Sequence, residues 1–171
     1  MLGSKELEVF NYHLKPGYIY VTPKPVLIST VAGSCVAVCI FDQRQKWGGM
    51  SHFLFPKTDR KGKPTPQYGN LAIPALIRML RKQGSRIDHL EAQIFRGGSR
   101  SPEDSNGIGP HNAKIARKIL KKREIPFVSE DIGGVKGRRI LYHTVTNEAL
   151  VMRTSKIRWG GWFPYHERPG T

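Results

Sequence analysis

A chain of 171 residues, 39% hydrophobic and 24% charged, has the length of one domain with a full core. No run reaches the roughly 20 apolar residues that a membrane-crossing helix needs. A net charge of +15 raises nucleic acid as a partner, but the basic residues are scattered along the chain, which favours solubility or an acidic protein partner.

Residues 1–15 read as an entry segment with some strand character (Leu7, Val9, Tyr12, Leu14), and Pro16-Gly17 punctuates its end. Residues 18–21 are a strand candidate, broken by Thr22-Pro23-Lys24-Pro25 because proline removes ladder donors. Residues 26–30 form a β-branched strand that leads into Ala32-Gly33-Ser34, a turn of minimal side chains. Residues 36–41 are apolar throughout, the mark of a strand buried on both faces. A polar connection over 42–47 and a tight turn or bulge at Gly48-Gly49 precede a further strand over 50–55. Residues 57–67 are a long polar loop.

Asn70 is the expected N-cap of a helix over 71–83, with Pro74 in the first turn and Gly84 at its close. Its apolar residues 73, 76, 77 and 80 share one face. Residues 90–95 are a strand running into Gly97-Gly98, and 100–108 are loop-like. A second helix spans 112–123, with Ile115, Ala116, Ile119 and Leu120 as its buried stripe and a basic last turn that suits the helix dipole. Phe127-Val128 is short and extended, Ile132-Gly133-Gly134 turns, and 139–145 with 148–153 form a terminal hairpin near Asn147. The chain reads as a single domain over 1–171, with a core of about 18–154 and a tail at 155–171 rich in Gly, Pro and aromatics.

Two cysteines four residues apart cannot staple such a domain. Ideal strand geometry holds them about 13 Å apart, too far for a disulfide. A reducing cytoplasm is therefore expected, and the polar, acidic N-terminus lacks a secretory pattern. A cysteine beside a strand is ordinarily a small buried hydrophobe, and Cys39, among Val36, Val38 and Ile40, reads as core. Cys35 differs in its setting. Gly33 and Ser34 let backbone amides approach a ligand and stabilise an oxyanion. His52 is the best-placed base among six histidines. Two strands that meet would bring it to Cys35, the minimum apparatus of a cysteine nucleophile.

The third member would be a hydroxyl that holds the imidazole. Ser29 and Thr30 both qualify, and period two places 29, 31, 33 and 35 on one nominal face, which favours Ser29. Zinc on Cys35, Cys39 and His52 would lack a fourth ligand and a recognised spacing. The glycine pairs at 48–49, 97–98 and 133–134 make no phosphate-binding loop, and aromatic and basic residues do not interleave as RNA recognition requires.

Taken in order, Gly33-Ser34-Cys35-Val36-Ala37-Val38, Gly49-Met50-Ser51-His52-Phe53-Leu54-Phe55-Pro56, Ile94-Phe95-Arg96-Gly97-Gly98, Ile108-Gly109-Pro110-His111-Asn112, Asp131-Ile132-Gly133-Gly134 and Gly137-Arg138 resemble the CheD family, the chemoreceptor glutamine deamidases of bacterial and archaeal chemotaxis. The resemblance runs from about residue 18 to 154. It implies an α+β fold of packed mixed sheets, sandwich-like and flanked by two main helices. It places the catalytic cysteine on Cys35 and the histidine on His52. Ser29 falls where the family has threonine, with Thr30 adjacent. Backbone amides at Gly33 and Ser34 would hold the oxyanion. Gly97, Gly98 and Asn112, which carry part of the resemblance, are candidates for substrate binding. The resemblance implies no metal or organic cofactor. The expected partners are methyl-accepting chemoreceptors as substrate and a CheC-type phosphatase. Neither nucleic acid nor membrane insertion is expected.

Overall fold

The computed structural model describes residues 9–59, 65–98 and 107–154. Among them the chain forms β1 (Phe10–His13), β2 (Tyr18–Thr22), β3 (Val26–Ala32), β4 (Val36–Asp42), β5 (Trp47–Phe53), α1 (Gly69–Lys82), β6 (Leu90–Arg96), α2 (Ile108–Lys122), β7 (Phe127–Asp131), β8 (Gly137–His143) and β9 (Ala149–Thr154). The strands make two mixed sheets, one ordered β1-β3-β8-β9 and the other β2-β5-β4-β6-β7. The fold is α+β, as expected.

The apolar run in β4 explains the layering. Every residue of β4 is buried, and alternate side chains serve two cores. Val36, Val38 and Ile40 pack with Ile73, Leu76 and Leu80 of α1 and Ala116 and Leu120 of α2. Ala37 and Cys39 pack with Ile28, Ala32 and Ile140 of the four-stranded sheet. The five-stranded sheet is thus the middle layer, with helices on one face and the smaller sheet on the other. Cys39 is core.

Several boundaries differ from the sequence reading. The entry segment contributes β1, which pairs in parallel with β3, and Leu14 is fully buried. Gly48 and Gly49 lie inside β5 instead of forming a turn. A Cβ on Gly48 would strike the Ile40 carbonyl, and one on Gly49 the Tyr20 carbonyl. Their bareness lets β4 and β2 close on β5. The turn comes earlier, where Asp42 Oδ1 accepts from the Arg44 and Gln45 amides at 2.9 Å each and Lys46 takes a φ of 59°.

Asn70 does not cap α1. Tyr68 occupies that position without a side-chain bond, and Asn70 instead bonds both the amide and the carbonyl of Thr58 at 3.2 Å. Pro74 consequently lies past the first turn. The second helix opens at Ile108, four residues before Asn112, with Gly107 as its N-cap in extended backbone and no side-chain capping bond. β7 extends the short Phe127-Val128 segment to Asp131.

Besides the link at 23–25 that joins β2 to β3, the chain passes between the two sheets at residues 14–17, 33–35 and 132–136. These passages meet around one place. The Leu14 amide donates to the Ser29 carbonyl and the Gly17 amide to the His52 carbonyl. A Cβ on Gly97 would fall on the Ala32 and Gly33 carbonyls, and one on Gly98 on the backbone of Val135.

Candidate active site

Cys35 lies in the bend that carries the chain from β3 in one sheet to β4 in the other. It is partly buried, while Ser34 beside it is exposed. β4 and β5 are antiparallel, with Ala37 opposite His52. Cys35 therefore stands one diagonal step from the imidazole at the mouth of the strand pair. His52 is fully buried.

The hydroxyl on the imidazole belongs to Thr30. Thr30 Oγ1 lies 2.7 Å from His52 Nδ1 and donates its one hydrogen to the Leu14 carbonyl at 2.8 Å. With that hydrogen committed, the hydroxyl can only accept from the ring, so Nδ1 carries the proton. Nε2 keeps its lone pair, and it is buried with no hydrogen-bond partner among the described residues. A buried, unpaired acceptor is costly. Here it is the ring atom that a general base requires.

Ser29 goes elsewhere. Its Oγ is 3.3 Å from His13 Nδ1, on the opposite face of β3. The burial of β3 alternates strictly, with Val26, Ile28, Thr30 and Ala32 inward. Counting period two back from Cys35 failed because the bend at 33–35 interrupts the alternation. The correct signal was upstream, where Val26, Ile28 and Ala32 already share a face with Thr30. Leu14 as the final acceptor was legible only once β1 was placed beside β3.

Burial governs the electrostatics. It pulls the His52 ring down to about 4, helped by His13 and opposed by the Leu14 carbonyl. It pushes the Cys35 thiol up to about 11, and the residue's own backbone amide acts in the other direction. At neutral pH the site therefore holds a thiol and a neutral imidazole.

Among the other expected residues, Gly33 is buried in the bend. Gly97 packs flat on the carbonyls of Ala32 and Gly33, and Gly98 on Val135. By close approach the first supports the cysteine turn and the second the passage at 132–136. Asn112 is fully buried on α2, and its Nδ2 donates to the Ser34 carbonyl at 3.1 Å and the Leu54 carbonyl at 2.8 Å. Sequence reasoning gave Arg138 no role. It is 2% exposed and holds the third passage by donating to Asp131 Oδ1 and the Gly133 carbonyl at 2.8 Å and the Lys136 carbonyl at 3.2 Å. Its guanidinium keeps the Asp131 carboxyl below the usual range.

No helix among the described residues is long and apolar enough to cross a membrane. A family model described as CheD chemotactic sensory transduction matches residues 54–153. The chain is 39% identical over 145 residues to a Trichlorobacter lovleyi protein named "Probable chemoreceptor glutamine deamidase CheD", covering 84% of this chain and 90% of that one. A Sulfurimonas denitrificans protein of the same name is 32% identical over 158 residues, covering 90% and 100%. A Cupriavidus pinatubonensis protein, also so named, is 39% identical over 159 residues, covering 90% and 73%. The family model begins two residues past His52, but matches to relatives of this length also span the segment that holds Cys35 and His52. On this evidence the chain belongs to the CheD family.

Proposed function

We propose that the protein is a cysteine-dependent deamidase that converts glutamine side chains of chemoreceptors to glutamate, with Cys35, His52 and Thr30 as its reacting and orienting groups. The observation that carries this reading is the fixed tautomer of His52, with an unpaired Nε2 lone pair in the strand next to the cysteine turn. The curated relatives carry the same activity in their names.

The thiol gives its proton to His52 Nε2 as Sγ adds to the amide carbon. Backbone amides of the Gly33–Cys35 bend face the developing oxyanion. The imidazolium returns the proton to the departing nitrogen, ammonia leaves, and a thioester remains. His52 then takes a proton from water, hydroxide adds to the thioester, and collapse releases glutamate and the thiolate, which recovers its proton from the ring. The sum is amide plus water to carboxylic acid plus ammonia. Throughout, Thr30 accepts from Nδ1–H and the Leu14 carbonyl fixes that hydroxyl.

Cys35→Ala tests the reading: ammonia release from receptor fragments should vanish while the folded spectrum persists, and undiminished release would overturn it. A CheC-type phosphatase as a second partner rests on the family resemblance and a cytoplasmic location on the two cysteines placed too far apart to pair, and co-elution with such a phosphatase tests the first.

A further inference from the structure

We infer that Asn112 is a positioning residue for this reaction: its carboxamide sets the spacing between the cysteine turn and the histidine strand. The inference rests on the deamidase reading and concerns the same site. Asn112 lies in the second turn of α2, on a different element from any reacting group. Its Nδ2 reaches two backbone carbonyls, that of Ser34 at 3.1 Å and that of Leu54 at 2.8 Å. Both partners are acceptors, so the orientation of the amide is fixed and both of its hydrogens are used.

The two carbonyls are informative. Ser34 immediately precedes Cys35, and Leu54 follows His52 by two residues. The β4–β5 ladder ends at Val36 opposite Phe53, so neither carbonyl belongs to it. The Leu54 amide is turned away to the Gln67 carbonyl. Asn112 therefore supplies the rung that the backbone does not, at the point where the cysteine leaves one sheet for the other. Its Oδ1 is buried and has no partner among the described residues. An apolar side chain here would avoid the unmatched oxygen but would take this donor from both the Ser34 and the Leu54 carbonyl. The unmatched oxygen indicates that the position is kept for its two donors.

The bond to Ser34 also orients the next amide. In a planar trans peptide the carbonyl and the following N–H point to opposite sides. Drawing the Ser34 carbonyl toward α2 aims the Cys35 amide away from the helix, toward its own sulfur and the place where an oxyanion forms.

The test uses the full chain with Asn112→Ala, Asn112→Ser and, as a control, Ala116→Gly, which loosens the same helix one turn on without touching either carbonyl. Two readouts are taken: steady-state ammonia release from receptor fragments, and the pH dependence of Cys35 alkylation by iodoacetamide, which needs no receptor. Asn112→Ala should lower kcat by about 10- to 100-fold with KM within about twofold, since a small misplacement of a reacting group has effects of that size. Its alkylation midpoint should move down toward that of an exposed thiol. Asn112→Ser, which can serve one carbonyl, should fall between, and it carries the test if the alanine variant does not fold. Unchanged kcat and alkylation midpoint in a folded Asn112 variant would overturn the inference, as would the same changes in Ala116→Gly. Cys35→Ala assayed alongside separates the two claims. If it still releases ammonia, the deamidase reading fails and the proposed role goes with it. If it is inactive while Asn112→Ala keeps full kcat, only the inference fails.

Discussion

Thr30 is a hydroxyl with one hydrogen and two possible neighbours, and the Leu14 carbonyl decides between them. Because Leu14 takes the hydrogen, His52 must present Nδ1–H to the oxygen, and Nε2 is left with its lone pair unpaired. Thr30→Val keeps the shape and removes both bonds. It should lower kcat by about 10- to 100-fold and destabilise the fold by about 1–3 kcal/mol, because it leaves the Leu14 carbonyl and the ring N–H unmatched in the interior. Thr30→Ser should retain most activity. Ser29→Ala should leave kcat within about twofold, since its oxygen faces His13. Rates from the three variants, with denaturant midpoints, check the assignment. Type and spacing singled out Cys35 and His52 as candidates, and narrowed the hydroxyl beside the imidazole to two adjacent residues. Choosing between them required knowing that the strand does not continue through the bend.

The elements around the site are held by close backbone approach as much as by side chains. Gly97, at the end of β6, lies flat on the carbonyls that begin the cysteine turn. Gly97→Ala forces a methyl group into that backbone contact, where no flexible side chain can yield. A loss of about 1–3 kcal/mol is expected, as for other overpacked sites, together with a larger fall in activity than stability alone explains. Urea unfolding with an unchanged m-value would establish the first part and kcat in the folded state the second. The glycine pairs were visible in the sequence, but their roles were not. A Gly-Gly step suits a turn and a crowded strand equally well, and only the neighbours of Gly48 and Gly49 distinguish the two. The helix starts were misplaced for a related reason: neither α1 nor α2 has a capping side chain, so the usual N-terminal signal is missing.

The contact between the two sheets buries an ionisable group, His52. His52 is neutral there down to about pH 4, whereas in the unfolded chain it would bind a proton near 6.5. Between those values the unfolded state binds more protons, so stability rises with pH across this window. It is therefore complete above about pH 6.5 and is lost as the pH falls toward 4, by on the order of 3 kcal/mol from this one group. His13 is shifted in the same direction, so the comparison must be with His52→Gln, whose unfolding free energy should fall less between pH 7 and pH 4.5. Equal slopes would remove His52 as the source. At this scale the family resemblance implied the α+β class, and the unbroken apolar run of β4 marked a strand buried on both faces. Neither could say which strand joins which sheet. Pairings such as Ala32 with Arg138 join residues far apart in the chain, and no local pattern encodes them.

Thr30 belongs to the four-stranded sheet and His52 to the five-stranded one, so the bond between them crosses the boundary where the layers meet. A parting of the two sheets by about 1 Å along this bond would stretch a 2.7 Å contact past hydrogen-bond range. The ring would then be free to change tautomer. The nitrogen chemical shifts of this one imidazole thus act as a strain gauge for the junction between the sheets, and an event elsewhere that parts the layers would register as a change in which ring nitrogen holds the proton.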